Sequence, residues 1–288
     1  MNSVKIIFSL AFLSIILASC SKEQATFETN FSGLEDLGPN FKYEGWLIVN
    51  GNAKSAGIFT VDASGVVSES SFEIKESDLN NADRYVLTIE PFPDSDAGAS
   101  SVHILAGDFS GNTANLSVGH GSAIGTDFNT VTGSYILATP TDGPATNENS
   151  GVWFLDPSGP SASLDLPTLN GGWQYEGWAV INGQAISTGT FLDPNGIDRG
   201  NPFSGTTGSA PPFPGEDFLL NAPSGFSFPT DLSDGTIVIS VEPLPDNSAA
   251  PFTLKPLVGA VPTAAVSGTS YTLTNNASAT SPTGSISR

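Results

Sequence analysis

Four glutamates stand out because they fall into two matching pairs, Glu44 with Glu90 and Glu176 with Glu242. Two facing carboxylates are the acid and base of a glycosidase, so the pairs are the first candidates for catalysis. His103 and His120 are the only imidazoles, 17 residues apart, and without a thiolate they furnish at most half a zinc ligand set. Gly119-His120-Gly121-Ser122 superficially looks like a nucleophile turn, but Ser122 lacks the Gly-x-Ser-x-Gly frame and the strand-to-helix setting. Asp193, Asn195 and Asp198 offer oxygens around one turn, with Glu216 and Asp217 as possible neighbours, which would suit Ca²⁺. Their spacing is not that of an EF-hand, and Asx-turn chemistry accounts for the same residues without a metal. Trp46, Trp153, Trp173 and Trp178, with Tyr43 and Tyr175, are candidate platforms for stacking on sugars. The competing reading has Trp46 and Trp178 filling two cores while Trp153 and Trp173 pack a domain junction.

The segments that carry these residues are copies of one another. Tyr43-Glu44-Gly45-Trp46-Leu47-Ile48-Val49-Asn50-Gly51 recurs as Tyr175-Glu176-Gly177-Trp178-Ala179-Val180-Ile181-Asn182-Gly183, and Ile89-Glu90-Pro91-Phe92-Pro93-Asp94 as Val241-Glu242-Pro243-Leu244-Pro245-Asp246. Gly57-Ile58-Phe59 matches Gly189-Thr190-Phe191 between them. A glutamate that recurs with its hydrophobic surroundings in both halves is better explained by structure than by catalysis, as an acceptor of backbone N–H bonds where a proline ends the strand. The spacing predicts a hairpin in each half, with Asn50-Gly51 and Asn182-Gly183 in the turns. Further strands are expected over 85–90, 103–106, 134–138, 152–155, 236–242, 252–255 and 270–274.

Composition agrees. With 31 Gly, 21 Pro and 13% charged residues in 288, the chain is poor in helix formers. The expected fold is all-β, two tandem antiparallel β-sandwich domains over 27–166 and 167–276, joined through Asp156-Pro157-Ser158-Gly159-Pro160 and followed by a flexible tail over 277–288. The halves spend their extra residues differently, in 107–135 and in 191–237. A net charge of −20, with Arg199 the only basic residue between Arg84 and Lys255, excludes nucleic acid as a partner, because phosphate binding needs a cationic face.

Lys5, the apolar run from Ile6 to Leu17 and Leu17-Ala18-Ser19-Cys20 form a leader too short to span a bilayer. The last four residues resemble a bacterial lipobox. That resemblance implies removal of residues 1–19, a diacylglycerol on Cys20, a tether over 20–26 and attachment to the cell envelope. Ser21 in place of Asp after the lipidated position points to the outer membrane, facing the periplasm or the cell surface. Cys20 is the sole cysteine.

Tyr43-Glu44-Gly45-Trp46 with Ile89-Glu90-Pro91, and Tyr175-Glu176-Gly177-Trp178 with Val241-Glu242-Pro243, resemble the extracytoplasmic domain of sigma-K type anti-sigma factors. The resemblance covers about two-thirds of each half and implies a β-sandwich that senses or is processed outside the membrane. No cytoplasmic sigma-binding segment accompanies it. The expectation is a non-enzymatic lipoprotein, with no cofactor unless Ca²⁺, that binds an envelope protein or ligand. A glycan-binding lipoprotein and a carboxylate-dependent hydrolase are the alternatives.

Overall fold

The structure, a computed structural model, describes residues 23–143, 146–159, 161–246 and 248–288. Cys20 and the leader lie outside the described residues. The chain runs through β1 (Gln24–Ser32), β2 (Phe41–Val49), β3 (Asn52–Phe59), β4 (Ser71–Lys75), a short α1 (Glu76–Asn80), β5 (Ala82–Pro91), β6 (His103–Ser110) and β7 (Thr113–Ser117). It continues with β8 (Thr132–Leu137), β9 (Gly151–Trp153), β10 (Leu155–Asp156), β11 (Ser161–Ala162), β12 (Leu164–Asp165), β13 (Trp173–Ile181), β14 (Gln184–Phe191) and β15 (Gly215–Asp217). Last come β16 (Thr236–Pro243), β17 (Leu257–Ala260), β18 (Tyr271–Asn275), α2 (Ala277–Thr280) and β19 (Thr283–Ser287).

The all-β expectation holds, with two large antiparallel sheets. Their strand orders are β3-β2-β5-β6-β7-β19-β1-β4 and β14-β13-β16-β17-β18-β8-β9-β15, with β12 also on β8. The two orders correspond position for position, so the duplication read from the motifs extends through whole sheets. Each sheet curls into a barrel-like shape. The cause is a bulge opposite the Tyr-Glu-Gly-Trp strand, where the register shifts and Gly57 and Gly189 take φ of +128° and +113°. A Cβ on Gly57 would lie 2.2 Å from the ring of Phe72 on β4, and one on Gly189 within 2.6 Å of Asp198. Asp198 Oδ2 in turn accepts the Gly215 amide of β15 at 2.9 Å, so the edge strands of each sheet approach one another. Both hairpins turn at Asn-Gly with positive φ, as the sequence predicts.

Sheet membership departs from the expected boundary at 166/167. Strands β8, β9 and β12, from the segment assigned to the first domain, complete the second sheet. The expected tail over 277–288 forms α2 and β19 instead, and β19 inserts between β1 and β7. It occupies the place in the first sheet that β8 occupies in the second, so the C-terminal strand supplies what a strand ahead of β1 would have supplied. Arg288 pins it there, donating to Ala82 O and Gly111 O at 3.1 Å each and covering the Phe109 ring. The described part of the expected linker, residues 156–159, leads out of β10 towards β11, inside the second unit. Strand β1 starts at Gln24, within the expected tether, because Phe27 and Thr29 alternate inward.

One strand over 252–255 is not formed. The Phe252 amide donates to the Glu242 side chain at 2.8 Å and not to a neighbouring strand, and Pro251 and Pro256 flank the segment. Most buried apolar side chains of both units join in one continuous core, with two smaller clusters beside it. Trp173 bridges the junction, its indole N–H donating to His103 O at 3.0 Å.

Candidate functional site

Along β2, Tyr43, Gly45, Leu47 and Val49 point into the barrel, and so Glu44, Trp46 and Ile48 lie on the outer face. On β5 the outer face carries Val86, Thr88 and Glu90. Trp46 accordingly packs in a small cluster with Val86, Ala106 and Ala123, not in the main core where the sequence placed it. Tyr43 is the residue that fills the core, stacked on Phe59 at 5.4 Å, just as Tyr175 stacks on Phe191 at 5.6 Å. The adjacent glycine is required for space: a Cβ on Gly45 would lie 1.9 Å from Tyr85 Oη, and one on Gly177 2.2 Å from Thr188 Oγ1.

The outer face holds a polar relay that both units repeat. Trp46 Nε1 donates to Thr88 Oγ1 at 2.9 Å, Thr88 donates to Glu90, and Ser55 donates to Glu44. In the second unit Trp178 Nε1 donates to Ser240 Oγ at 2.7 Å, Ser240 to Glu242, and Ser187 to Glu176. All four glutamates and both tryptophans are buried. The relay serine and threonine positions were not picked out from the sequence, although Thr88 and Ser240 sit two residues before a motif glutamate.

The copies then diverge. In the first unit both oxygens of Glu90 accept the Ser100 amide, at 2.9 and 3.1 Å. In the second the Phe252 amide and Ser240 hydroxyl engage only Oε1 of Glu242, and Ser187 only Oε1 of Glu176. The Oε2 atoms of both are buried without a hydrogen-bond partner. Register explains their proximity: Glu176 pairs with Ser240, so Glu242 is its diagonal neighbour on the same face. The Pro243–Asp246 turn folds a third carboxylate back, and oxygens of Glu176, Glu242 and Asp246 lie within 4.8 Å of one another. Burial pushes Glu176 up to about 8, with the charges of Glu242 and Asp246 adding to it, and burial pushes Glu242 up to about 7. A carboxylate oxygen of Glu176 and one of Glu242 lie within 4.8 Å of each other, and both side chains are buried.

Beside this cluster an open cleft of about 560 Å³ lies between the units. Leu37, Phe41, Val102, Leu244 and Phe252 supply apolar wall, while Glu35, Glu242 and Asp246 supply acid. Burial raises Glu35 to about 7, against the pull of the Thr253 backbone and Lys255. Lys255 Nζ itself donates to Phe252 O at 2.6 Å.

The remaining candidates resolve differently. Asp193 Oδ1 accepts both the amide and the side-chain nitrogen of Asn195 at 2.9 Å in an Asx turn, while Asp198 faces inward to Gly215, so the three do not converge as cation ligands. Glu216 and Asp217 are buried in β15, where Ser204 and Thr141 donate to them. Trp153 donates to Asp217 Oδ1 at 2.7 Å and packs with Ile136 and Phe213 on the second sheet, not at the junction, because β9 belongs to that sheet. With Trp173 also buried, none of the four indoles is exposed. His120 Nδ1 accepts the Ser122 amide at 3.0 Å, and Ser122 Oγ accepts Arg84 at 2.8 Å, so the hydroxyl is not aligned on an imidazole. His103 Nδ1 meets Ser122 O at 2.9 Å, so both histidines hold the loop that precedes the crossing between units.

Compared with protein-family models, curated proteins and solved structures, the chain matches none. Among the described residues no helix is long and apolar enough to cross a membrane.

Proposed function

We propose that this chain is a non-enzymatic binding protein of the bacterial cell envelope, tethered through a lipid on Cys20, whose two units are modules like the extracytoplasmic domain of sigma-K type anti-sigma factors. The observation that carries the binding role is the cleft of about 560 Å³ between the units, within the usual size range of small-molecule sites. Its apolar wall and acidic end suit a ligand with an apolar body and a cationic group. Supporting this reading, both motif tryptophans are buried with their indole N–H groups bonded inside the protein, leaving recognition to the loops between the units.

The test is calorimetric titration of the full chain with dodecylamine below its micellar concentration, beside a Ser101→Trp variant. Ser101 is an exposed residue of the cleft, so the indole plugs it without entering the core. Saturable binding that Ser101→Trp removes is expected. Absence of binding, or equal binding by the plugged variant, would sink the proposal.

A further inference from the structure

We infer that Glu176, Glu242 and Asp246 form a divalent-cation site of the Ca²⁺ class, on the outer face of the second sheet at the wall of the cleft. The argument begins with what each carboxylate has left over. Glu176 and Glu242 are 4% and 0% exposed, and each spends Oε1 on its serine. Their Oε2 atoms meet no N–H or hydroxyl donor, and the side chain within hydrogen-bond reach of Glu176 is another carboxyl, Asp246, an arrangement costly for buried charge unless a cation or a shared proton answers it. One carboxylate oxygen from each of Glu176, Glu242 and Asp246 lies within 4.8 Å of the others. Among the described residues no lysine or arginine forms an ion pair with any of the three, and Lys255 points its ammonium at the Phe252 and Thr253 carbonyls.

Ligand chemistry selects the ion. All three donors are carboxylates, which favours hard cations, and Ca²⁺ tolerates irregular geometry with 6–8 oxygens, mono- or bidentate. Glu242 and Asp246 also line the cleft, so water has a route to the remaining positions. The first unit is a built-in control. Its motif carries Glu44, Glu90 and Asp94, but the Ser100 amide occupies both oxygens of Glu90, and that trio does not converge.

Terbium is the probe, because Trp178 is linked to Glu242 through Ser240 and can sensitise a lanthanide bound there. The full chain in detergent, stripped with chelator, is titrated with Tb³⁺ under indole excitation and then with Ca²⁺. Saturable luminescence that Ca²⁺ displaces is expected, lost in Glu242→Gln and in Asp246→Asn and kept in Asp94→Asn. Asp246 is only half-buried in a turn, so Asp246→Asn tests the site even if Glu242→Gln misfolds. No saturable signal, or a signal indifferent to Asp246→Asn, would overturn the assignment. Equal loss in Asp94→Asn would do so too.

Discussion

Removing the last strand should unfold one unit and spare the other. In a chain ending at Ser281, β1 and β7 each lose a neighbour to which five residues are paired. At roughly one ladder hydrogen bond per pair and ~1 kcal/mol net for each, about 10 kcal/mol of pairing is lost. Burial of the fully enclosed Ile286 side chain contributes a further ~1.5–3 kcal/mol. That sum matches the ~5–15 kcal/mol that holds a whole domain together, so the first unit has nothing left to offset it. The second unit loses no strand. Limited proteolysis with mass spectrometry is the assay: cleavage should spread through residues 24–117 while a fragment containing 132–275 resists. Adding the peptide 282–288 in excess should restore protection, and Ile286→Ala, at about 2–5 kcal/mol, should produce an intermediate loss. A truncated chain with the protease pattern and melting curve of the full protein would refute the reasoning.

Acidification should stabilise the metal-free protein. Burial holds Glu35, Asp198, Glu216 and Glu242 near 7 and Glu176 near 8, all above their unfolded values of 3.8–4.5, so their contribution is complete below about pH 4, declines as pH rises from there, and is gone above 7 to 8. Denaturant midpoints taken with chelator present should fall between pH 5 and pH 8 and level off above, and a flat profile across that window would show these carboxyls to be solvated. Ser240→Ala strands the Trp178 indole N–H and leaves Glu242 Oε1 with the Phe252 amide alone, an expected cost of ~1–3 kcal/mol by urea unfolding; a cost below ~0.5 kcal/mol would mean that the relay is idle. For the tether, Cys20→Ser should move the protein from the detergent phase to the aqueous phase on partitioning, and continued detergent partitioning would rule out the lipid.

What the residue pattern made legible was local chemistry and internal similarity. Asn50-Gly51 and Asn182-Gly183 announce their turns because few dipeptides accept two consecutive positive φ angles. Strand β1 was equally readable in principle, since Phe27, Thr29 and Phe31 alternate with Glu28 and Asn30, although its first three residues, 24–26, fall in the expected tether. Strand β19 was not, because Thr-Gly-Ser-Ile-Ser has one large apolar side chain and its place depends on partners more than 160 residues away. The orientation of Trp46 followed from strand alternation once Tyr43 and Leu47 claimed the inner face. Asp246 stood in plain view inside the repeated Glu-Pro-x-Pro-Asp, yet its meeting with Glu176 depends on the path of the turn, which spacing does not encode.

Duplication explains why a chemically expensive cluster can exist here. The two relays begin from the same glutamates on the same outer face, so ancestry alone would predict equal chemistry in both. They differ in the segment after the motif proline: Ser100 reaches both oxygens of Glu90, whereas the Phe252 amide reaches one oxygen of Glu242. One amide placed differently by the following loop thus converts a satisfied structural carboxylate into one with an oxygen to spare. The same segments line the cleft, Ser100 to Val102 from one unit and Glu242 to Phe252 from the other. The relays secure each barrel, and the loops that leave them are where the two copies are free to differ. The repeated motif is the scaffold, and the asymmetry between the repeats lies in the loops that line the cleft.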